Sequence, residues 1–341
     1  MKAISLGNRA FEGLNNAYLL EGEVTTLVDT GIATPDTESD LRDGLGEAGY
    51  EFADVEQILV THFHADHAGL AGAVQEESDA VVRAHEADAA LVAQDPDAVE
   101  AMEERQRTLL DRWGMPEDAQ SELLDTMSGA LGIDGQAVDV TTFGDGEQFT
   151  AGDVTVETVS LPGHSAGLTG FAFESDYRGL SGEGRELFSG DALLPYYTPN
   201  VGGADVRVER PLAQYLDTLT RIADGRYARA WPGHRGPIVD PAGRARDIAV
   251  HHRERTDRVL SVLDEHGPAD AWTVSAHLFG DLSSIHILHG PGEASAHLDH
   301  LAEGGVVGVS EQSPAEYALS GETVDESAVD DLFPPLATDE R

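Results

Sequence analysis

The sequence predicts an α/β protein: two β-rich halves interrupted by a helical insertion and followed by a mainly helical C-terminal region. Three observations carry this reading. Short β-prone runs fill residues 1–85 and resume from about Phe149 to Pro237, and several end in a turn bearing His or Asp. Between them, from about residue 86 to 133, apolar residues fall at helical spacing. Past Asp240-Pro241 the pattern changes again, to long helical stripes.

In the first half, Ala17-Tyr18-Leu19-Leu20 and Thr25-Thr26-Leu27-Val28 flank a polar turn, a hairpin signal. Ile58-Leu59-Val60-Thr61 is continuously apolar enough for a strand buried on both faces. It runs into His62-Phe63-His64-Ala65-Asp66-His67, with a helix expected from near Ala68. In the insertion, Val99, Met102, Gln106, Leu109, Leu110 and Trp113 stripe one helix, which Gly114 stops. Pro116 restarts a second, striped by Leu123, Leu124, Met127 and Leu131. These apolar faces suit packing on the body, and a lid over a pocket would use the same faces.

The second half repeats one device. Val154 to Val159 alternates and leads to Pro162-Gly163-His164; Glu186 to Ser189 leads to Gly190-Asp191; Ala228 to Trp231 leads to Pro232-Gly233-His234. Beyond Pro241 come a long helix from about Ala242 to His266, a short one opening at Thr273-Val274, and another from Glu293 to Ala302. Val306 to Val309 and Tyr317 to Leu319 then form a hairpin. Three helices and a two-stranded wing are the order of a winged-helix domain. The expected domains are therefore 1–240, containing the insertion, and 245–320. The acidic tail 321–341 is expected to fray.

Composition narrows the chemistry. With 341 residues, 40% of them hydrophobic, the chain can bury a sizeable core. No apolar run reaches the roughly 20 residues of a membrane span, and no signal peptide is evident, so a soluble cytoplasmic protein is expected. There is no cysteine, which removes disulfides, a thiol nucleophile and thiolate-bound metal. Imidazole and carboxylate remain as metal ligands, and they suit zinc, manganese or iron.

The hexapeptide has a direct physical reading. Residues two apart on an extended chain point the same way, so His62 and His64 can grip one ion. The following turn carries Asp66 and His67 towards a neighbouring position, where a second ion can bind. His164 and His234 supply further nitrogens, and Asp191 can bridge with its two oxygens. Seven ligands for two ions leave room for a bridging water, whose pKa metal binding lowers until it is a hydroxide nucleophile. Asp66 is also placed to orient that nucleophile. Tyr196 and Tyr197 follow Asp191 closely and are candidates to donate to a developing oxyanion.

Thr61 to His67 matches the H-x-H-x-D-H motif of the metallo-β-lactamase superfamily, and over residues 1–240 the chain resembles that family. The resemblance implies an αββα sandwich with two divalent metal ions at one edge. It assigns His62, His64 and His164 to one ion, Asp66, His67 and His234 to the other, and Asp191 to the bridge. Asp29, a turn residue when Val28-Asp29-Thr30-Gly31 is read alone, falls at a position that supports a ligand from behind. An aspartate at 191 is similar to glyoxalase II-like thioesterases, lactonases and phosphodiesterases, whereas true β-lactamases generally place cysteine or serine there. Flavodiiron-type oxidoreductases carry an acid where this chain has His64. Residues 245–320 resemble the winged-helix extension of the β-lactamase-like endoribonuclease branch, many of whose members are described as hydroxyacylglutathione hydrolase-like. His252-Arg253 is similar to that extension's His-Arg pair, although His252 read alone is an exposed helix residue. The glutathione-binding helices of glyoxalase II have no counterpart here.

The resulting expectation is a dinuclear, zinc-dependent hydrolase of a small acyl substrate, a thioester, lactone or related ester; iron and manganese are alternatives. A phosphodiesterase or endoribonuclease acting on single strands is the competing reading, favoured if Arg207, Arg210 and Arg235 prove to be free bases at the site mouth. A DNA-binding regulator would need a basic winged helix. From Val250 onward there are only four arginines against eighteen acids, which disfavours any phosphate backbone. That region is better suited to packing or to forming a homodimer. His277, His286, His289, His297 and His300 are irregularly spaced and read as surface and core histidines rather than a third metal site.

The formal net charge is -42, and Lys2 is the only lysine among 21 bases. Such self-repulsion is quenched only when salt shortens the Debye length to a few ångströms, so a halophilic protein is expected. Circular dichroism across a potassium chloride series should show loss of structure at low salt. Full folding and activity without added salt would refute the expectation.

Overall fold

Strand ends set the geometry of this protein, and the apolar runs decide where the strands lie. The computed structural model describes residues 1–7, 13–129, 135–177, 184–321 and 323–338. The first sheet takes its strands in sequence order: β1 (Lys2–Ser5), β2 (Asn16–Leu20), β3 (Thr26–Val28), β4 (Gln57–Leu59), β5 (Val81–His85) and β6 (Val140–Phe143). β1, β2 and β3 are antiparallel, as the hairpin signal requires, and β3 to β6 are parallel. The parallel strands β3 and β4 are buried along their whole length; their polar members, Thr26 and Gln57, hydrogen-bond each other at 3.2 Å.

The second sheet comprises β7 (Gln148–Ala151), β8 (Val154–Ser160), β9 (Thr169–Glu174), β10 (Arg185–Gly190) and β11 (Arg229–Pro232), in the order β11-β10-β9-β8-β7. β7 to β10 are antiparallel neighbours, and β11 runs parallel to β10. β8, β10 and β11 therefore point the same way and end at one edge.

Tyr18, Leu20, Val28 and Leu59 of the first sheet share a core with Val156, Phe171, Phe173 and Phe188 of the second. The other face of the first sheet packs on the helices Pro35–Gly46, through Leu41 and Leu45, and Ala71–Ser78, through Val74. Thr34 caps the earlier helix, accepting from the Thr37 amide, and Pro35 occupies its first turn. The helix after the hexapeptide begins at Ala65, three residues before the expected start, because the His64 carbonyl accepts from the amides of His67 and Ala68. Asp66 and His67 thus ride on a single helical turn.

These elements belong to one compact unit, Met1–Val99, Leu131–Pro199 and Ile222–Arg244; the second unit is Glu100–Ala130, Asn200–Arg221 and Ala245–Arg341. Most of the inserted helices therefore share a core with the C-terminal helices. Leu110, Trp113, Met115 and Leu123 are buried together with Val259, Leu263, Val274, Leu298 and Tyr317. Gly114 ends the helix Pro96–Arg112 with φ +80°, and a Cβ there would lie 2.2 Å from Asp270 Oδ2, so only glycine fits. Leu124 points away from its neighbour Leu123 and is exposed, as is Val99. Leu131 lies outside the described residues.

The C-terminal elements are the helices Pro241–His266, Ala271–Phe279 and His286–Glu303, then the antiparallel pair β12 (Val307–Val309) and β13 (Tyr317–Leu319). The third of these helices starts seven residues before Glu293 and accommodates Pro291 in its interior. The described part of the tail is anchored, where fraying was expected: Val329 is buried in this core, Arg253 holds Asp330 and Glu326, and His300 contacts the Leu332 carbonyl. Among the described residues no helix is long and apolar enough to cross a membrane.

His252 is buried rather than exposed, with its Nδ1 3.3 Å from His297 Nε2. Burial, reinforced by His251 and Arg255, holds His252 well below the usual histidine range; burial and His252 itself do the same to His297. Both rings are therefore neutral when folded and free to protonate near 6.5 when unfolded. Their contribution to stability is complete above that value and declines as pH falls below it towards their folded pKa values. Denaturant titrations between pH 8 and 5 at fixed high salt should show this decline. The double variant His252→Gln/His297→Gln should have a shallower slope, and an equal slope would be contrary to this account.

Candidate metal centre

All the candidate ligands follow strand ends within the first unit. β4 leads to His62, His64, Asp66 and His67; β8 leads to His164; β10 leads to Asp191; β11 leads to His234. Gly190 ends β10 and turns the chain at φ +47°, where a Cβ would meet the Thr61 side chain at 2.8 Å. Gly233 has a similar task without the unusual φ: a Cβ there would lie 2.4 Å from His67 Cε1 and 2.6 Å from Asp191 Oδ1. These glycines let the ligand loops approach one another.

The ligand atoms converge in three overlapping groups. His62, His64 and His164 form one, Asp66, His67 and His234 another, and His62, His67 and Asp191 a third; within each group the ligand atoms lie within 4.8 Å of one another. His64 Nδ1 lies 2.9 Å from His62 Nε2 and 3.1 Å from His164 Nε2. Asp191 Oδ1 is 3.5 Å from His67 Nε2, while its Oδ2 is 3.3 Å from His234 Nε2 and 3.8 Å from His164 Nε2. Asp66 Oδ2 is 3.5 Å from His234 Nε2. The carboxylate at 191 therefore faces members of both triads.

Three of these atoms, His67 Nε2, His234 Nε2 and Asp191 Oδ1, are buried without a hydrogen-bond partner. Buried polar atoms are rarely left so, and three facing one another have the donor chemistry of a site for divalent cations. Electrostatics agrees. Burial pushes His67 down, but Asp191, Asp66 and Asp29 together raise it well above the usual range. Burial likewise opposes the ionised form of Asp191, yet His234 and His67 hold its pKa well below that of an ordinary carboxylate. Burial works against protonation of His234 also, and Asp191 raises it. His62 faces mainly other imidazoles, and burial followed by His67 and His64 lowers it strongly. The pocket is electronegative around Asp191 and calls for positive charge there.

Supporting residues orient the ligands. Asp29 accepts from the Thr61 amide and hydroxyl, both at 2.8 Å, and its Oδ2 lies 2.9 Å from His67 Nδ1. That leaves His67 Nε2 to face the centre, the support expected of this position. His234 Nδ1 donates to the Gly13 carbonyl at 3.0 Å. Two residues that sequence reasoning missed act in the same way. Asn15 donates its amide to both Asp66 O and Asp66 Oδ2, at 3.0 Å each. Buried Asp88 accepts from the Phe63 amide, the Ser165 hydroxyl and the Gly167 amide, tying the His62–His67 loop to the His164 loop. Their only sequence signals are an Asn-Asn pair before a strand and an acid before a short helix, which read as turn and cap.

Of the two tyrosines, Tyr196 is 75% exposed, and Tyr197 is half-exposed with its hydroxyl 3.4 Å from Arg235 Nη2. Arg207 pairs with Asp205 at 2.7 Å and Arg210 with Glu303 at 2.7 Å, both within the second unit.

The sequence profile described as the metallo-beta-lactamase superfamily matches residues 10–234, which is the span holding every candidate ligand named above. The chain belongs to the metallo-β-lactamase superfamily. Its structure is similar to a metallo-beta-lactamase family protein, TTHA1429 from Thermus thermophilus, with TM-score 0.79 and 32% identity over 93% of this chain and 98% of the other. A beta-lactamase domain protein from Burkholderia ambifaria is similar in fold, with TM-score 0.75, 23% identity and coverage of 93% and 91%. In sequence the chain is 27% identical to a Bacillus subtilis protein named "Probable metallo-hydrolase YqjP", over 83% of this chain and 86% of that one. It is 24% identical to the "Atrochrysone carboxyl ACP thioesterase" of Emericella nidulans, over 76% of this chain and 63% of that protein. The protein is a metallo-hydrolase of this superfamily, and its fold and His/Asp clusters imply divalent metal ions.

Asp29→Ala should weaken metal affinity by about 10–100-fold, the usual cost of losing an outer partner of a histidine ligand. Competition with a chromophoric chelator measures this. Unchanged affinity in a folded variant would show that Asp29 merely shapes the turn.

Proposed function

We propose that this protein is a dinuclear acyl hydrolase that cleaves a thioester or a related ester such as a lactone. The carrying observation is the position of Asp191, whose two oxygens face His67 on one side and His164 and His234 on the other. A bridging carboxylate with no cysteine in the chain suits glyoxalase II-like thioester and lactone chemistry rather than β-lactam hydrolysis. The similarity to a protein named as a thioesterase supports the acyl side of that choice. The ion pairs of Arg207 and Arg210 count against the phosphodiester alternative, since two of the three bases it called for are already neutralised by acids.

His62, His64 and His164 would hold one ion and Asp66, His67 and His234 the other, with Asp191 shared; with nitrogen and oxygen donors only, zinc is the proposed metal. When bound, the ions would polarise the acyl carbonyl and lower the pKa of water. The chain's own contribution is placement. Asn15 fixes Asp66 Oδ2, so the carboxylate can orient the attacking water and accept its proton. Asp29 and the Gly13 carbonyl fix the ring orientations of His67 and His234. Residues 245–320 we read as a winged helix serving packing or self-association rather than nucleic-acid binding, because of its acidity.

The test is a metal count by mass spectrometry, followed by assays of thioesters, lactones and single-stranded RNA in high salt. Two ions per chain and thioester turnover are expected. Asp191→Ala should lower that turnover by more than about a hundredfold, beyond the cost of losing an outer partner. Saturation at one ion, or activity surviving in Asp191→Ala, would defeat the dinuclear reading, and RNA cleavage alone would replace the acyl reading.

A further inference from the structure

We infer that Arg235, braced by Tyr197, is the specificity determinant for an anionic substrate, holding a single oxyanion beside the metal centre; this rests on the acyl-hydrolase reading above. Arg235 directly follows the ligand His234, and its backbone is fixed in the left-handed region at φ +66°. A bulky side chain seldom occupies that conformation, and such an outlier beside a reactive centre points to a function for the side chain. Two bonds hold it there: the Arg235 amide donates to Leu14 O at 2.9 Å, and the Arg235 carbonyl accepts from Asn16 Nδ2 at 2.7 Å.

The guanidinium lies over the Tyr197 ring, 5.0 Å from its centroid. Tyr197 is itself anchored, because Arg244 donates to the carbonyls of Leu194 and Tyr197 at 2.6 Å each. The guanidinium is nevertheless sparsely paired. Its Nε is buried with no partner, and Nη2 makes only the long 3.4 Å contact with the Tyr197 hydroxyl. No carboxylate pairs with it among the described residues, in a chain with 63 acids and 21 bases. An arginine stacked on an aromatic ring, with its terminal nitrogens paired to no carboxylate, is suited to receive a carboxylate or phosphate through those nitrogens. The Tyr197 hydroxyl can donate to the same oxyanion.

In an acyl substrate the oxyanion has two possible sources: a carboxylate on the acyl group, or a phosphate on the thiol carrier. Three thioesters separate them: butyryl-pantetheine, succinyl-pantetheine and butyryl-4′-phosphopantetheine. The metal-loaded protein, at one fixed salt concentration, should prefer one of the two anionic thioesters over the neutral one. In Arg235→Gln that preference in kcat/KM should fall by about tenfold or more, mainly through KM, as expected for loss of a charge-assisted hydrogen bond. Arg235→Lys should recover part of it. No preference in the wild type, or an undiminished preference in Arg235→Gln, would overturn the inference. If no thioester is turned over, the acyl-hydrolase reading fails, and calorimetric titration of the metal-loaded protein with succinate and with inorganic phosphate still decides the anion site. Weaker binding of either anion in Arg235→Gln sustains it, and equal binding of both overturns it.

Discussion

Two carboxylates, Asp66 and Asp191, are buried at the ends of strands among five imidazoles, and much of the first unit can be understood as what makes that tolerable. A buried charge is costly unless a countercharge or a cation faces it. Asp191 leaves one oxygen without a hydrogen bond, and the nearest nitrogens of His67 and His234 are unpartnered too. The surroundings hold these groups close together. Gly190 and Gly233 allow the approach, Asp29 fixes His67, Asn15 fixes Asp66, and Asp88 ties the two histidine loops together. Parallel strand direction is what delivers all of them to one edge. β3 and β4 agree in direction within the first sheet, as do β8, β10 and β11 within the second.

What could be read from the sequence follows from how local each signal is. His62 to His67 stand out because their ligand spacing is a property of six consecutive residues. His164, Asp191 and His234 are visible because each follows a strand and a glycine. Asp88 is not visible, since its role arises only when loops 25 and 77 residues away fold against it. The contact of His252 with His297 spans 45 residues, so His252 alone looks like any polar residue on a helix. Of the expected stripe on the second inserted helix, Leu123 is buried and Leu124 is exposed, because neighbouring residues on a helix point about 100° apart; Leu131 and the Met127 side chain lie outside the described residues. In the tail, acidic composition hides the few apolar residues that anchor it, Val329 and Phe333.

The charge balance shapes the rest. With three acids for every base, a cation is a scarce structural resource, and the arginines are placed accordingly. Arg42 joins Glu38 on its own helix to Glu77, 35 residues on; Arg253 gathers Asp257, Glu326 and Asp330, and so docks the tail. Lysine's single ammonium does this less well than a planar fork with five donors, which gives a physical reason for the near-absence of lysine. Divalent ions serve the same end more strongly. One ion held between these imidazoles and carboxylates would fix several loops at once. The candidate metal centre fits the same pattern: Arg42 and Arg253 hold separate chain segments together through carboxylates, and a divalent ion would do the same for the loops that carry His62 to His67, His164, Asp191 and His234.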